Sequence, residues 1–250
     1  MHQDEAGISG EGPTQLGRTT TGLAFRCARS IEDVLAAWHL TYVANRRRGL
    51  IPANRHQLFL SQRAVGPQSV VLVGQIGPLI VSTMTATLER PLGLPGDHAL
   101  GDDLRTIHRP GRLMMELHLF ADRRADDERT TDSFLRLLAL GWSWGALQGA
   151  TDCLLATEPS RAAFFRVALG FERLGEPQPG RGQDAPQVTL HRHFASDRNG
   201  PEMPVGLRIL QEHRAPGNAF DDRYRFDAHE VARSAIGGYL SDHYAIRTAG

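Results

Sequence analysis

Lysine is absent: all 28 basic residues of the 250-residue chain are arginine. That bias reads as genomic composition, and it leaves charge recognition to guanidinium forks, which grip phosphates and carboxylates well. Cysteine is nearly absent too. Cys27 and Cys153 stand alone, without metal-type spacing, which excludes a disulfide scaffold and points to reduced thiols. No apolar run approaches the length of a membrane-spanning helix, and residues 1–22 are polar and glycine-rich with no leader-like stretch. A cytoplasmic protein is the expectation. Excess charge of either sign is lacking as well, with 28 basic against 28 acidic residues, so bulk binding to nucleic acid or a membrane surface is not expected. No glycine-rich phosphate loop is present, which removes support for nucleotide binding.

What remains is ordinary globular composition, 41% hydrophobic and 22% charged. Residues 1–22 read as a disordered tail, residues 23–194 as one domain, and residues 195–250 as a linker with a C-terminal helical extension. Leu23 to Cys27 reads as a short strand. Ser30 is an N-cap candidate with Asp33 three residues on, and Ile31, Val34, Leu35, Trp38 and Tyr42 recur at helical spacing until Gly49. A shorter helix is expected over His56 to Arg63. Val70–Val73 and Leu79–Leu88 form a hairpin, and Asp102–Thr106 a turn of helix. Arg112–Phe120 is a central strand, Thr130–Gly149 a long helix and Cys153–Thr157 a buried strand. Pro159 opens a helix that Gly170 closes, and Phe171–Leu174 and Val188–His193 finish the sheet. After a charged, proline-rich stretch, Asp227–Tyr244 reads as a terminal helix. The order β-α-α-β-β-β-α-β-α-β-β departs from the even alternation of a doubly wound fold.

Chemistry concentrates on the central strand. Period-two alternation puts Met114, Glu116, His118 and Phe120 on one face, with Leu113, Met115, Leu117 and Leu119 on the other. A carboxylate and an imidazole thus sit about 7 Å apart along one strand face. Buried polar groups of that kind cost stability unless they are paired or line a cleft. The competing reading is a structural bridge from Glu116 to Arg105 or Arg112. His191 and His193 share a face of the last strand, but two histidines without a third ligand do not make a zinc site. Arg46, Arg47 and Arg48 close the first helix, where they complement its dipole or dock an acidic partner.

The segments LIVSTMTATLE (79–89), GLP (93–95) followed by LR (104–105), GRLMMELHLF (111–120) and FFRVALGFERLG (164–175) together resemble the N-acyl amino acid synthases. These are acyl-carrier-protein-dependent relatives of the GCN5-related acetyltransferases and of the acyl-homoserine lactone synthases. The resemblance spans about Ala24 to Phe194 and implies an α/β (α+β) GNAT-like acyl-CoA N-acyltransferase fold. In that fold a mixed central sheet is flanked by helices, and its central parallel strands splay apart. It implies transfer of a medium or long fatty acyl group from an acyl carrier protein thioester to the amine of an amino acid or related small molecule. The donor is an acyl-phosphopantetheine, with no tightly bound cofactor and no metal.

By the same resemblance Glu116 is the expected base or substrate-orienting residue, and His118 is placed to relay the proton or orient the acceptor. Backbone groups near Phe120 and Thr157 are expected to bind the pantetheine arm, with an N–H near Leu119 or Phe120 for the oxyanion. Phe165 suits an acyl tunnel, and equally plain core. Arg123 and Arg124 are placed to meet a phosphate or an acidic carrier-protein helix. The segment after Phe120 departs from the acetyltransferase pattern, since it has no glycine and several acids, which suits a pyrophosphate poorly. The place of a leaving-thiolate tyrosine holds Phe164 and Phe165. Two alternatives follow: an acetyl-coenzyme A-dependent acetyltransferase, and a catalytically silent thioester-binding module.

Overall fold

The computed structural model describes residues 22–90, 93–95, 107, 109–124, 127–179, 186–194 and 205–244. The expected tail, the Asp102–Thr106 turn and Arg105 lie outside the described residues. Strands β1 (Leu23–Cys27), β2 (Ser69–Ile76), β3 (Leu79–Leu88), β4 (Met114–Asp122), β5 (Asp152–Thr157), β6 (Glu172–Pro179) and β7 (Pro186–His193) form one seven-stranded sheet ordered β1-β2-β3-β4-β5-β7-β6. Only β4 and β5 run parallel. Among the described residues the bounded α-helices are α1 (Ile31–Arg47), α2 (Asp127–Leu147), α3 (Pro159–Leu169), α4 (Val205–Glu212), α5 (Ala228–Arg233) and α6 (Ala235–Tyr244). No helix among the described residues is long and apolar enough to cross a membrane.

Alternation on the central strands builds two cores. Leu72, Met84, Met115 and Leu117 pack with Leu137, Leu138 and Trp144 of α2 on one face. Val71 and Val73 pack with Val34 and Trp38 of α1 on the other. Ser30 caps α1 as its sequence suggests, accepting from the Asp33 N–H at 3.3 Å, while Arg26 forks onto the Asp33 carboxylate at 2.6 and 3.1 Å. The C-terminal segment joins both cores. Leu207, Leu210 and Phe220 add to the α2 face, and Val231, Ile236 and Tyr239 to the α1 face. Its terminal helix is two pieces rather than one, broken at Ser234, which is extended at ψ 172°.

The helix expected over His56–Arg63 is not formed. Asn54 caps its own loop, bonding the Leu58 carbonyl at 2.9 Å, and Gln57 takes a left-handed φ of 52°. Side-chain competition of this kind outbids helix hydrogen bonds, and only Gln62–Ala64 makes a single 3-10 turn. A second difference concerns β4. His118 stands opposite Thr85 and Ala121 opposite Thr83, so Leu119 and Phe120 together face Met84 alone. This is a β-bulge, with Leu119 at φ 55°. One extra residue reverses the alternation beyond it. Leu119, expected on the aliphatic face, packs with the α1 core, and Phe120, expected beside His118, packs with the α2 core.

The docking of α4 depends on Gly206, where a Cβ would lie 2.5 Å from the Ala168 carbonyl oxygen and 2.6 Å from Leu169 Cδ2. Replacing Gly206 by valine is expected to lower stability by about 1–3 kcal/mol, read as a lower urea midpoint at unchanged slope.

Candidate active site

β4 and β5 pair over four positions, ending at Leu117 opposite Leu155. Beyond that point β5 continues against β7, with Ala156 opposite Thr189 and Thr157 opposite Val188, whereas β4 turns aside at its bulge. Parallel strands that part leave a slot, and a cavity of about 360 Å³ fills it. The cavity reaches through the sheet. Met84, Leu117, Phe120, Phe134, Leu138 and Phe165 make its apolar half on the α2 face. Thr41 and Asn45 of α1, Arg48 at its C-cap, His118, Glu158 and Arg161 supply polar lining, as do Thr130 and Thr131 of α2. Edge-to-face rings hold the apolar wall, Phe120 to Phe134 at 5.1 Å and Phe134 to Phe165 at 5.4 Å between centroids.

Of the residues singled out in the sequence, His118, Leu119, Phe120, Thr157 and Phe165 line this cavity. Glu116, Arg123 and Arg124 do not. Arg124 is turned onto Asp122, which accepts from its backbone N–H at 2.8 Å and from its guanidinium at 2.7 and 3.0 Å. The Asp122 side chain is 1% exposed, so Arg124 staples the start of α2 instead of standing free for a phosphate. The Arg123 N–H closes on the Val81 carbonyl at 2.7 Å.

Glu116 is 6% exposed. It lies in a row across the sheet, Ser69, Thr87, Glu116, Leu154 and His191, whose members stand opposite one another and share a face. His118 is the next residue along β4 on that face. Its Nε2 is 2.9 Å from Thr87 Oγ1, which is in turn 2.9 Å from Ser69 Oγ. An imidazole at the cavity wall therefore backs onto a buried chain of hydroxyls.

The structural bridge considered for Glu116 is made elsewhere in the case of Arg112. Its fork grips Asp152, with Nε 2.7 Å from Oδ2 and the second contact from Nη2 to Oδ1. His191 Nε2 meets Asp152 Oδ1 at 2.8 Å and the Thr151 hydroxyl donates to Oδ2 at 2.6 Å. Burial pushes the Asp152 carboxyl up, but the bonds from His191, Arg112 and Thr151 outweigh it and hold the carboxyl well below its usual range. Burial drives the Cys153 thiol well above its ordinary value, with the Glu116 and Asp152 charges pushing the same way. Cys153 is thus an inert core thiol.

Sequence reasoning missed Arg161 and gave neither Arg48 nor Glu158 a part in the cavity. Arg48, read as a helix-dipole partner or a docking charge, forms an ion pair with Glu158 at the cavity rim. The signal that could have found Arg161 was a cation in the first turn of a helix, where the dipole disfavours it.

A cavity piercing a mixed sheet where its one parallel pair diverges is the architecture of an N-acyltransferase with the GNAT-like acyl-CoA N-acyltransferase fold. The chain belongs to the family of the N-acyl amino acid synthase FeeM, whose family model matches residues 36–193. It is an acyltransferase of that family. Among solved structures it resembles FeeM, an N-acyl amino acid synthase from uncultured soil microbes, with a TM-score of 0.59 at 15% identity, covering 69% of this chain and 91% of that one. The acyl-homoserine lactone synthase LasI matches with a TM-score of 0.51 at 13% identity, over 68% of this chain and 90% of that one. At such identities these structures speak for the fold. The comparison with curated proteins gives no match.

Asp152→Asn is expected to cost about 3 kcal/mol, the low end for breaking a buried pair because Arg112 keeps 22% of its side chain exposed. A carboxyl held below its unfolded value stabilises the fold above that value and loses its effect as pH falls. The wild-type protein should therefore lose stability as pH drops below the ordinary 3.8, while the variant's unfolding free energy, measured by denaturant titration, changes less over that range.

Proposed function

We propose that the protein joins a medium or long fatty acyl group, delivered as an acyl carrier protein thioester, to the amine of an amino acid or related small molecule. The apolar half of the through-sheet cavity carries this reading. The whole cavity, about 360 Å³, falls in the size range of sites for ligands of many heavy atoms, far more than an acetyl group, and phenylalanine, leucine and methionine wall part of it. The glycine-free, acid-rich segment after β4 favours a pantetheine arm with a single phosphate over a coenzyme A pyrophosphate.

His118 is the group that can touch the reacting amine. In this reading it takes the amine proton as the nitrogen attacks the thioester carbonyl, with Thr87 and Ser69 holding the ring's orientation. Glu116, one step deeper on the same face, acts through His118 as a positioning residue, its negative charge favouring the imidazolium that forms. The bulge at Leu119 and Phe120 turns backbone toward the cavity, where an N–H can receive the developing oxyanion. The pantetheine arm lies between the parted strands, along Phe120 and Thr157. The departing thiolate, of ordinary pKa near 8.5, leaves without a tyrosine acid.

His118→Ala is expected to lower kcat by roughly 10²–10⁴-fold, measured as free thiol released from dodecanoyl carrier protein with mixed amino acids. Glu116→Gln is expected to shift the acid limb of the pH–rate profile while leaving donor binding intact. Thiol release from acetyl-coenzyme A but not from the acylated carrier protein would overturn the donor assignment. Binding of acyl donor without turnover of any amine would point to a silent thioester-binding module instead.

A further inference from the structure

The polar end of the cavity holds charges that acyl transfer as such does not use. Arg48, at the C-terminal end of α1, and Arg161, in the first turn of α3, both line it, with one carboxylate among the described lining residues, Glu158, between these helices. Glu158 is the N-cap residue of α3, yet its side chain does not cap the helix; it pairs with Arg48. Arg161 has no side-chain hydrogen bond or ion pair among the described residues, and the first turn of α3 contains no acidic residue to balance it. A guanidinium there is opposed by the helix dipole, so local stability does not call for it. Burial and the repulsion of Arg161 together lower the pKa of Arg48, and both guanidiniums line the one cavity. Among the described residues the rim thus carries two positive charges against one negative, with Arg161 one helical turn from Phe165 on α3. The cavity as a whole is amphiphilic, with an aromatic and aliphatic wall and a cationic rim.

We infer that Arg161, with Arg48 beside it, binds the carboxylate of the acceptor amino acid, so that the enzyme selects α-amino acids over plain amines at this rim. The inference rests on the acyl-transfer reading above. In that complex the acyl chain fills the α2 side, the new amide lies near His118, and the carboxylate pairs with Arg161 and takes the place of Glu158 on Arg48. A planar carboxylate matches the guanidinium fork.

N-Dodecanoylglycine and N-methyldodecanamide differ only in the carboxylate and serve as probes in calorimetric titrations of the full chain. The wild-type protein should bind the first about tenfold or more tightly than the second, the worth of one charge-assisted contact. Arg161→Gln should remove that difference while leaving the neutral amide's affinity unchanged, and Arg161→Lys should restore part of it. Glu158→Gln, which frees Arg48, should tighten the acid further.

Equal binding of the two probes by the wild-type protein overturns the carboxylate site and leaves the acyl cavity standing. Binding of neither overturns the acyl-transfer reading itself. A further arm compares dodecanoyl-phosphopantetheine with dodecanoyl-pantetheine. If Arg161→Gln weakens only the phosphorylated donor, the anion held at the rim is the donor's phosphate and the acceptor assignment falls.

Discussion

The site depends on one broken pairing. Four residue pairs hold β4 to β5, and past Leu117 and Leu155 that pairing stops while β5 keeps its other neighbour, β7. Backbone amides and carbonyls are obligatory hydrogen-bonding groups, so strand edges opened inside a sheet invite a ligand that carries amides of its own. The parting is held from both sides. The Phe120, Phe134 and Phe165 rings pack into the α2 side, and Thr41 of α1 reaches the Leu119 carbonyl at 3.4 Å on the other. The slot is therefore set by the packing of two cores.

Charge is distributed along the same two strands in a consistent way. At their feet, Asp152 is enclosed by Arg112, His191, Thr151 and the more distant His193 at 3.5 Å, which locks β4, β5 and β7 together where they pair. Nearer the parting come Glu116 and His118, and at the cavity rim the surplus is positive, from Arg48 and Arg161. A rigid, fully satisfied cluster at one end and a partly satisfied one at the other is what a strand pair needs if only its far end is to meet substrate.

Much of this was legible in the residues. The bounds of β1 and β3, the Ser30 cap and the order of the strands follow from alternation, capping chemistry and turn residues acting locally. The family was readable from GRLMMELHLF and the segments around it, because they carry the central strand and its neighbours. What escaped was non-local. A leucine at φ 55° has no sequence signature, since left-handed backbone is usually marked by glycine or asparagine; only the cores on either side impose it. That one residue reversed the faces assigned to Leu119 and Phe120. The arginines were misjudged for the same reason. Arg124, reachable from the strand, is claimed by Asp122 two residues away, while Arg48 and Arg161, more than a hundred positions apart, meet at one opening.

Leu119 carries a consequence for how this scaffold can change. A left-handed leucine costs on the order of 1–2 kcal/mol relative to ordinary backbone, and the residue sits in the wall of the cavity. Glycine would release that strain and would also remove the side chain that anchors the wall to the α1 core. Selection for heat tolerance and selection for turnover would thus pull this single codon in opposite directions.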